Sequence, residues 1–208
     1  LADSLERQGL VNAMATMMAK GTQSRSAVEI AQAVDTLGAD LGVSCGSNSV
    51  YARATCLSQD WEKILELFSD VLLNPSFPDE EWARVQPRLL AAIDRQTDSW
   101  GGELGQLFRK TYFAGHPWSI TSLGKRDVVS QLTTQDLRTF HRAFLSANDS
   151  VVTIVGDIDP DAVTAAATKL FAKMPQGLVS SRTWPKPNPP GARSEEHTSE
   201  LQSPCNLV

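Results

Sequence analysis

Long apolar runs are missing from this 208-residue chain. None approaches the ~18 residues of a membrane-spanning helix, so a transmembrane protein is excluded. Clustered basic charge is also missing. Nineteen Lys and Arg stand against 24 Asp and Glu, a net charge of −5, and the cations are scattered. A nucleic-acid binder needs a basic face to neutralise phosphates, so that class is disfavoured, and binding to an anionic membrane surface has no support. Cysteine is scarce. Cys45, Cys56 and Cys205 form no C-x-x-C pair, which argues against a zinc knuckle or a thioredoxin-type site. His116, His141 and His197 lie far apart, a poor start for a metal site. The opening residues Leu1-Ala2-Asp3-Ser4-Leu5-Glu6-Arg7 carry neither an initiator Met nor a signal-peptide pattern, so the chain is expected to be a piece of a longer protein.

What remains is an ordinary globular composition, 41% hydrophobic and 21% charged, enough for one domain or two small ones. Leu10, Val11, Met14, Met17 and Met18 recur at helical spacing within 5–20, and Lys20-Gly21 stops that helix. Ser24 or Ser26 caps a second helix over about 26–37, ended by Gly38. A hairpin follows. Leu41, Val43 and Cys45 alternate with polar or small residues, as do Val50, Ala52, Ala54 and Cys56, around the turn Gly46-Ser47-Asn48-Ser49. With Ser47 and Asn48 as the loop, Cys45 pairs with Val50 and Val43 with Ala52. That register puts Cys56 opposite Ala39, too far from Cys45 for a disulfide, so both thiols are read as small buried hydrophobes. Helices are expected over 61–73, capped by Asp60, over 79–98 with a kink at Pro87, and over 101–113, 125–131, 134–144 and from Pro160 to about Lys173. Residues 150–157, Ser-Val-Val-Thr-Ile-Val-Gly-Asp, read as a strand that pairs with the sheet of the 40–58 hairpin.

The tail stands apart. Trp184 to Gly191 is Pro-rich and reads as a linker over 184–192. From about Arg193 the string Arg-Ser-Glu-Glu-His-Thr-Ser-Glu-Leu-Gln-Ser-Pro resembles the translation of a common sequencing adapter. Residues 193–208 are therefore read as a non-native tail, the alternative being a polar disordered segment. Either way His197 and Cys205 leave the functional argument.

Three groups of strings carry a family resemblance. The first runs from Gly9 through Lys20-Gly21-Thr22 and on to Ala33-Val34-Asp35-Thr36-Leu37-Gly38-Ala39. The second is Leu72-Leu73-Asn74-Pro75-Ser76-Phe77. The third comprises Gly115-His116-Pro117-Trp118, Leu123-Gly124, Leu132-Thr133 and Val155-Gly156-Asp157. In this order and spacing they resemble the pitrilysin/insulinase superfamily, the group that contains the mitochondrial processing peptidase and its bacterial relatives. The resemblance covers nearly all of residues 5–190. It implies an α+β fold, helices packed on a mainly antiparallel sheet. It also implies a half-domain of the mitochondrial-processing-peptidase type over 1–183, with the strands that precede it in the family absent.

Active members of that family carry H-x-x-E-H in the first helix. Residues i and i+4 share a helical face, so two imidazoles reach one Zn²⁺ while the Glu at i+3 faces the attacking water. A second Glu further along completes the ligand set. On this sequence the resemblance places Asn12 and Thr16 at the His positions, Ala15 at the Glu and Ala92, within Leu89-Leu90-Ala91-Ala92-Ile93, at the second Glu. No catalytic, metal or cofactor-binding residue is therefore assigned, and zinc is expected only in a partner unit. Met14, Met17 and Met18 are read as core rather than a copper site. His116 is read as shaping a loop, His141 as a surface or packing residue, Asp157 as the turn out of a strand, and Asp79, Glu80 and Glu81 as an acidic helix N-terminus. The resemblance thus implies a non-catalytic unit of a peptidase. Such a unit helps to form the peptide-holding chamber of a zinc-bearing partner, either a separate subunit or part of one longer chain. The alternative is a purely structural or interaction protein derived from the same fold.

Overall fold

The computed structural model describes residues 7–46, 49–119 and 121–177. Helix α1 (Leu10–Met18) has the sequence Leu-Val-Asn-Ala-Met-Ala-Thr-Met-Met, with only Asn12 and Thr16 polar. A helix that is apolar nearly all round must be covered nearly all round. Accordingly Leu10, Ala13, Met14, Met17 and Met18 lie in the central core with Ile30, Ile64, Leu67, Val71, Phe77, Trp82, Val85 and Leu137. The methionines pack, as expected.

Helix α2 (Ala27–Thr36) starts at Ser26, which forms a capping box. The Ser26 hydroxyl accepts from the Glu29 amide, and the Glu29 carboxylate accepts from the Ser26 amide at 2.7 Å. The Ser26 amide, and with it the Ser26 hydroxyl, donates to this carboxylate and so holds the Glu29 carboxyl below its ordinary pKa. Strands β1 (Asp40–Cys45) and β2 (Val50–Thr55) form the hairpin in the expected register, with Cys45 opposite Val50 and Val43 opposite Ala52. The loop residues Ser47 and Asn48 lie outside the described residues. Cys45 and Cys56 are not joined to each other, and each is half-buried. Helices α3 (Trp61–Leu73), α4 (Asp79–Asp94), α5 (Trp100–Tyr112), α6 (Arg126–Gln131), α7 (Thr134–Phe144) and α8 (Pro160–Phe171) complete the order, and α4 runs through Pro87. Around α1 pack β1 on one side and α4 and α7 on others, while α3 lies under β2 and against α8.

Two expectations are corrected. Asp60 precedes α3 but gives it no side-chain cap; its carboxylate is taken by Lys63 at 2.8 Å. Residues 150–155 form no strand, and the described sheet has two strands, β1 and β2. No backbone hydrogen bond joins 151–155 to a described neighbour. The Val-Val-Thr-Ile-Val pattern is that of a strand buried in a sheet interior. A strand, however, is defined by a partner, and nothing described lies within hydrogen-bonding reach.

The segments that carried the family resemblance meet in space. The Gly21 carbonyl accepts from the Ser76 amide at 3.0 Å and the Gln23 amide donates to the Asn74 carbonyl at 2.9 Å. Arg25 pairs with Asp70 at 2.6 Å beneath this junction. Arg138 on α7 donates to the carbonyls of Ser76 and Phe77, the second at 2.7 Å. Phe77 itself is fully buried with a positive φ of 48°. Trp82 Nε1 donates to the Leu132 carbonyl at 3.1 Å, and Gln86 Nε2 to that of Val129 at 2.9 Å. The loop between α3 and α4 is thus tied to the α1–α2 turn on one side and to α6 and α7 on the other.

At the start of α1, Gly9 (φ 95°) and Gly124 (φ 82°) cross in close contact. A Cβ on Gly124 would meet the Gln8 carbonyl oxygen at 2.3 Å and the Gly9 Cα at 2.5 Å. Gly38 also has a positive φ, 54°, but open space where its Cβ would stand. We expect Gly38→Ala to cost about 1–2 kcal/mol, the left-handed penalty alone. Gly124→Ala adds the backbone clash and should cost about 2–5 kcal/mol. Urea unfolding of the two variants measures the difference; equal costs would mean that the crossing at α1 does not constrain the fold.

Candidate functional site

The face that the family resemblance singles out lies on α1. Asn12 and Thr16, one turn apart, are half-buried, and Ala15 between them is buried. Both polar side chains are engaged locally. The Thr16 hydroxyl donates to the Asn12 carbonyl at 2.8 Å, the common back-bond of a helical Thr. The Cys45 thiol, at the end of β1, donates to Asn12 Oδ1 at 3.5 Å. Helix α4, which carries half-buried Ala92, packs on α1. The elements that would bear a ligand set are therefore together. Their side chains at these positions are an amide, a hydroxyl and two methyl groups, a donor set that does not suit zinc, which takes imidazole, thiolate or carboxylate. Among the described residues no three His, Cys, Asp or Glu side chains gather so as to hold a metal ion.

The remaining sequence candidates fall in separate places. His116 is nearly buried; its Nδ1 accepts from the Trp118 amide at 3.2 Å, and its ring sits among those of Phe113 and Trp118. That is a loop-shaping role. His141, on α7, is buried, with Nε2 2.8 Å from the Leu72 carbonyl and its ring edge-on to Phe77. Of the two readings open to it, packing is the one realised. Asp157 lies in the bend 156–158, with no strand before it. Asp79, Glu80 and Glu81 occupy the first turn of α4. Asp79 accepts from the Thr134 hydroxyl, and Arg84 pairs with Glu80 and with Glu81, the latter at 2.8 Å.

Two surface features escaped the sequence reading. A cavity of about 380 Å³ opens between β2 and residues 152–156, floored by α3. Its signal was the exposed apolar run after Ser150, read instead as a paired strand. The second feature is on α5, where Trp100, Leu104, Leu107 and Phe108 are exposed, Trp100 by 83%. Their i, i+4, i+7, i+8 spacing makes a stripe.

Comparison with known proteins agrees with the fold. The family model for insulinase (peptidase family M16) matches residues 1–123, and the model for the peptidase M16 inactive domain matches residues 131–203. An uncharacterized zinc protease of Rickettsia felis is 25% identical over 179 residues, which are 86% of this chain and 43% of that protein. The beta subunit of the mitochondrial-processing peptidase of Caenorhabditis elegans is 21% identical, across 86% of this chain and 39% of the subunit. Among solved structures, a peptidase M16 inactive domain from Pseudomonas fluorescens superposes with a TM-score of 0.80 at 26% identity, covering 87% of this chain and 45% of that one. The periplasmic protease PqqL of Escherichia coli superposes with a TM-score of 0.76 at 19% identity, covering 88% of this chain and 21% of PqqL. The chain belongs to the insulinase family of peptidases, family M16, and spans less than half the length of these relatives.

Burial lowers the pKa of His141 below its ordinary value, and the nearby Arg142 charge acts in the same direction, against the bond to Leu72. The unfolded chain therefore takes up the proton more readily than the fold. The contribution of this group is fully present above the ordinary His value of about 6.5 and is lost as pH falls from there through the lowered value of the fold. Urea unfolding at pH 7.5 and 6.0 should show stability falling in the native protein. His141→Gln, which can still donate to Leu72, should fall less; equal losses would show that folding does not change the protonation of His141.

Proposed function

We propose that this chain is a non-catalytic unit of an M16 peptidase, one that helps to form the peptide-holding chamber of a zinc-bearing partner unit. The observation that carries the reading is on α1. The positions at which active relatives place two His and a Glu hold Asn12, Thr16 and Ala15, and the two polar groups are bonded within the chain. A single loss could reflect a shifted register. The flanking Lys20-Gly21-Thr22 is anchored to Asn74-Pro75-Ser76, which supports the register. With the buried methyl of Ala15 where a general base would have to stand, this chain has no group there to activate water.

On this reading the contribution of the chain to proteolysis is geometric. It supplies walls, and the partner supplies the metal, the water and the base. The rival, a purely structural role on the same fold, needs no peptide to be held. One experiment separates them. The purified chain is analysed for zinc and assayed on extended peptides, alone and together with an H-x-x-E-H unit encoded beside it. We expect no stoichiometric zinc and no hydrolysis from the chain alone, and hydrolysis by the pair that exceeds that of the zinc-bearing unit by tenfold or more, about 1.4 kcal/mol in barrier. One tightly bound zinc per chain would overturn the catalytic part of the reading. A pair no more active than the zinc-bearing unit alone would favour the structural role.

A further inference from the structure

No residue of α5 is buried, and the helix packs chiefly on the short turns that flank it, Arg95–Thr97 and Pro117–Ser119. Its exposed side chains nevertheless follow a pattern. Trp100, Leu104, Leu107 and Thr111 recur at steps of four, three and four residues, the spacing of a helix–helix seam. Along one flank of that seam stand Glu103 and Lys110, along the other Gly101 and Phe108. Glu103 and Lys110 make no ion pair with a described residue. The Phe108 ring is stacked on Tyr112, 5.3 Å between centroids, and stands edge-on to Phe113, so its position is set within the chain. A Cβ on Gly101 would meet nothing within 4 Å, which leaves open surface beside Trp100.

We infer that α5 is a self-association surface whose occupant is α5 of a second copy of this chain, packed antiparallel about a two-fold axis. The pattern is complementary to itself in that direction. With the axis between Gly105 and Gln106, Leu104 faces Leu107 of the second copy and Trp100 faces Thr111 of the second copy. An antiparallel seam brings like flanks together. Glu103 then meets Lys110 of the second copy, and Phe108 lies over the open surface at Gly101 of the second copy. Two-fold symmetry makes every one of these pairs twice. A parallel pairing would set Glu103 beside Phe108 instead, with no opposite charge in reach, and would align the two helix dipoles. The 13-residue helix is about 20 Å long. Two aromatics and two leucines on it offer on the order of 500 Å² per copy, so about 1,000 Å² in total, the lower end for a specific interface. The dimer is therefore a weak one. The inference rests on α5 and is independent of the catalytic reading of α1.

Sedimentation equilibrium of the 208-residue protein from about 1 to 200 µM tests it. We expect a monomer–dimer equilibrium with a Kd on the order of 10–100 µM. Leu104→Glu changes a side chain that the monomer leaves exposed, so it should keep the circular dichroism and raise Kd at least tenfold. Glu103→Lys and Lys110→Glu each set like charges against one another twice and should raise Kd by about threefold or more. The double variant restores opposite charges and should return to within about twofold of the native Kd. A monomer at every concentration overturns the inference. A dimer that survives Leu104→Glu lies on another face, the 151–155 run included, and overturns it as well. Weakening by both single reversals without recovery in the double variant overturns the antiparallel register. A chain that stays monomeric alone, but whose 100–112 amides exchange more slowly once an H-x-x-E-H unit is added, assigns the stripe to that unit and overturns the second copy.

Discussion

The composition of α1 constrains nearly everything else in this molecule. Seven of its nine residues are apolar and only Asn12 and Thr16 are not, so no face of it can be left to water at low cost. The hairpin, α4 and α7 are the elements that cover it. Its start is fixed by the Gly9–Gly124 crossing, and the chain leaving it is fixed by backbone bonds to Asn74 and Ser76. The central helix is held at both ends and on several sides before any function is considered. On the proposed reading, an active relative would carry two imidazoles and a water-activating carboxylate at these positions. With Ala15, Asn12 and Thr16 there, no such group has to be held in the middle of the core. The Cys45–Asn12 bond and the Thr16 back-bond then satisfy what polarity remains.

Covering α1 requires the loop 74–78 to turn sharply between α3 and α4, and that turn depends on Arg138. A buried backbone carbonyl without a partner costs about 1–3 kcal/mol. Arg138 spans from α7 to the carbonyls of both Ser76 and Phe77, and His141, one turn further along α7, faces the Leu72 carbonyl. The left-handed Phe77 is thus surrounded by groups that make its conformation the best one available. Its ring fills the space under His141. The depressed pKa of that His follows from the same burial, since a cation there would have no carboxylate to face.

Much of this was legible in the sequence, for identifiable reasons. Helices α3 and α7 start and stop where Trp61, Leu73, Thr134 and Phe144 suggested, because periodicity and turn residues agree there. The hairpin register followed from alternation and loop length together. The meeting of Gly21 with Ser76 could not be read from residue patterns, because nothing in either string encodes the distance between them; only the resemblance hinted that the strings belong together. The segment 150–157 was read as a strand from its composition, and the composition was a true signal. It reports what the segment is suited to, whereas strand formation needs a neighbour. That α1 carries Asn12, Ala15 and Thr16 on a helix could be read from the sequence, while the thiol of Cys45 reaching Asn12 could not, since it depends on where the hairpin crosses the helix.

The exposed apolar surface is distributed unevenly, and this bears on what kind of object the chain is. Around α1 the side chains are packed and the polar atoms satisfied, with no buried side-chain nitrogen or oxygen among the described residues left without a partner. Away from it, the stripe Trp100, Leu104, Leu107 and Phe108 and the run Val151–Val155 face outward. A monomer rarely carries contiguous apolar patches beyond a few hundred Å² without a use for them. A marginal fold would show its weakness at the core, yet here the core is complete and the deficit is at two peripheral places. That pattern fits a unit whose interior is finished and whose outer faces are specified for neighbours. One face has a helix stripe suited to another apolar surface, and the other has the outer edge of β2 beside the apolar run 151–155. The residues present on α1 and the apolar surface exposed at the periphery both support the proposal made above, that of a wall-forming unit of a peptidase.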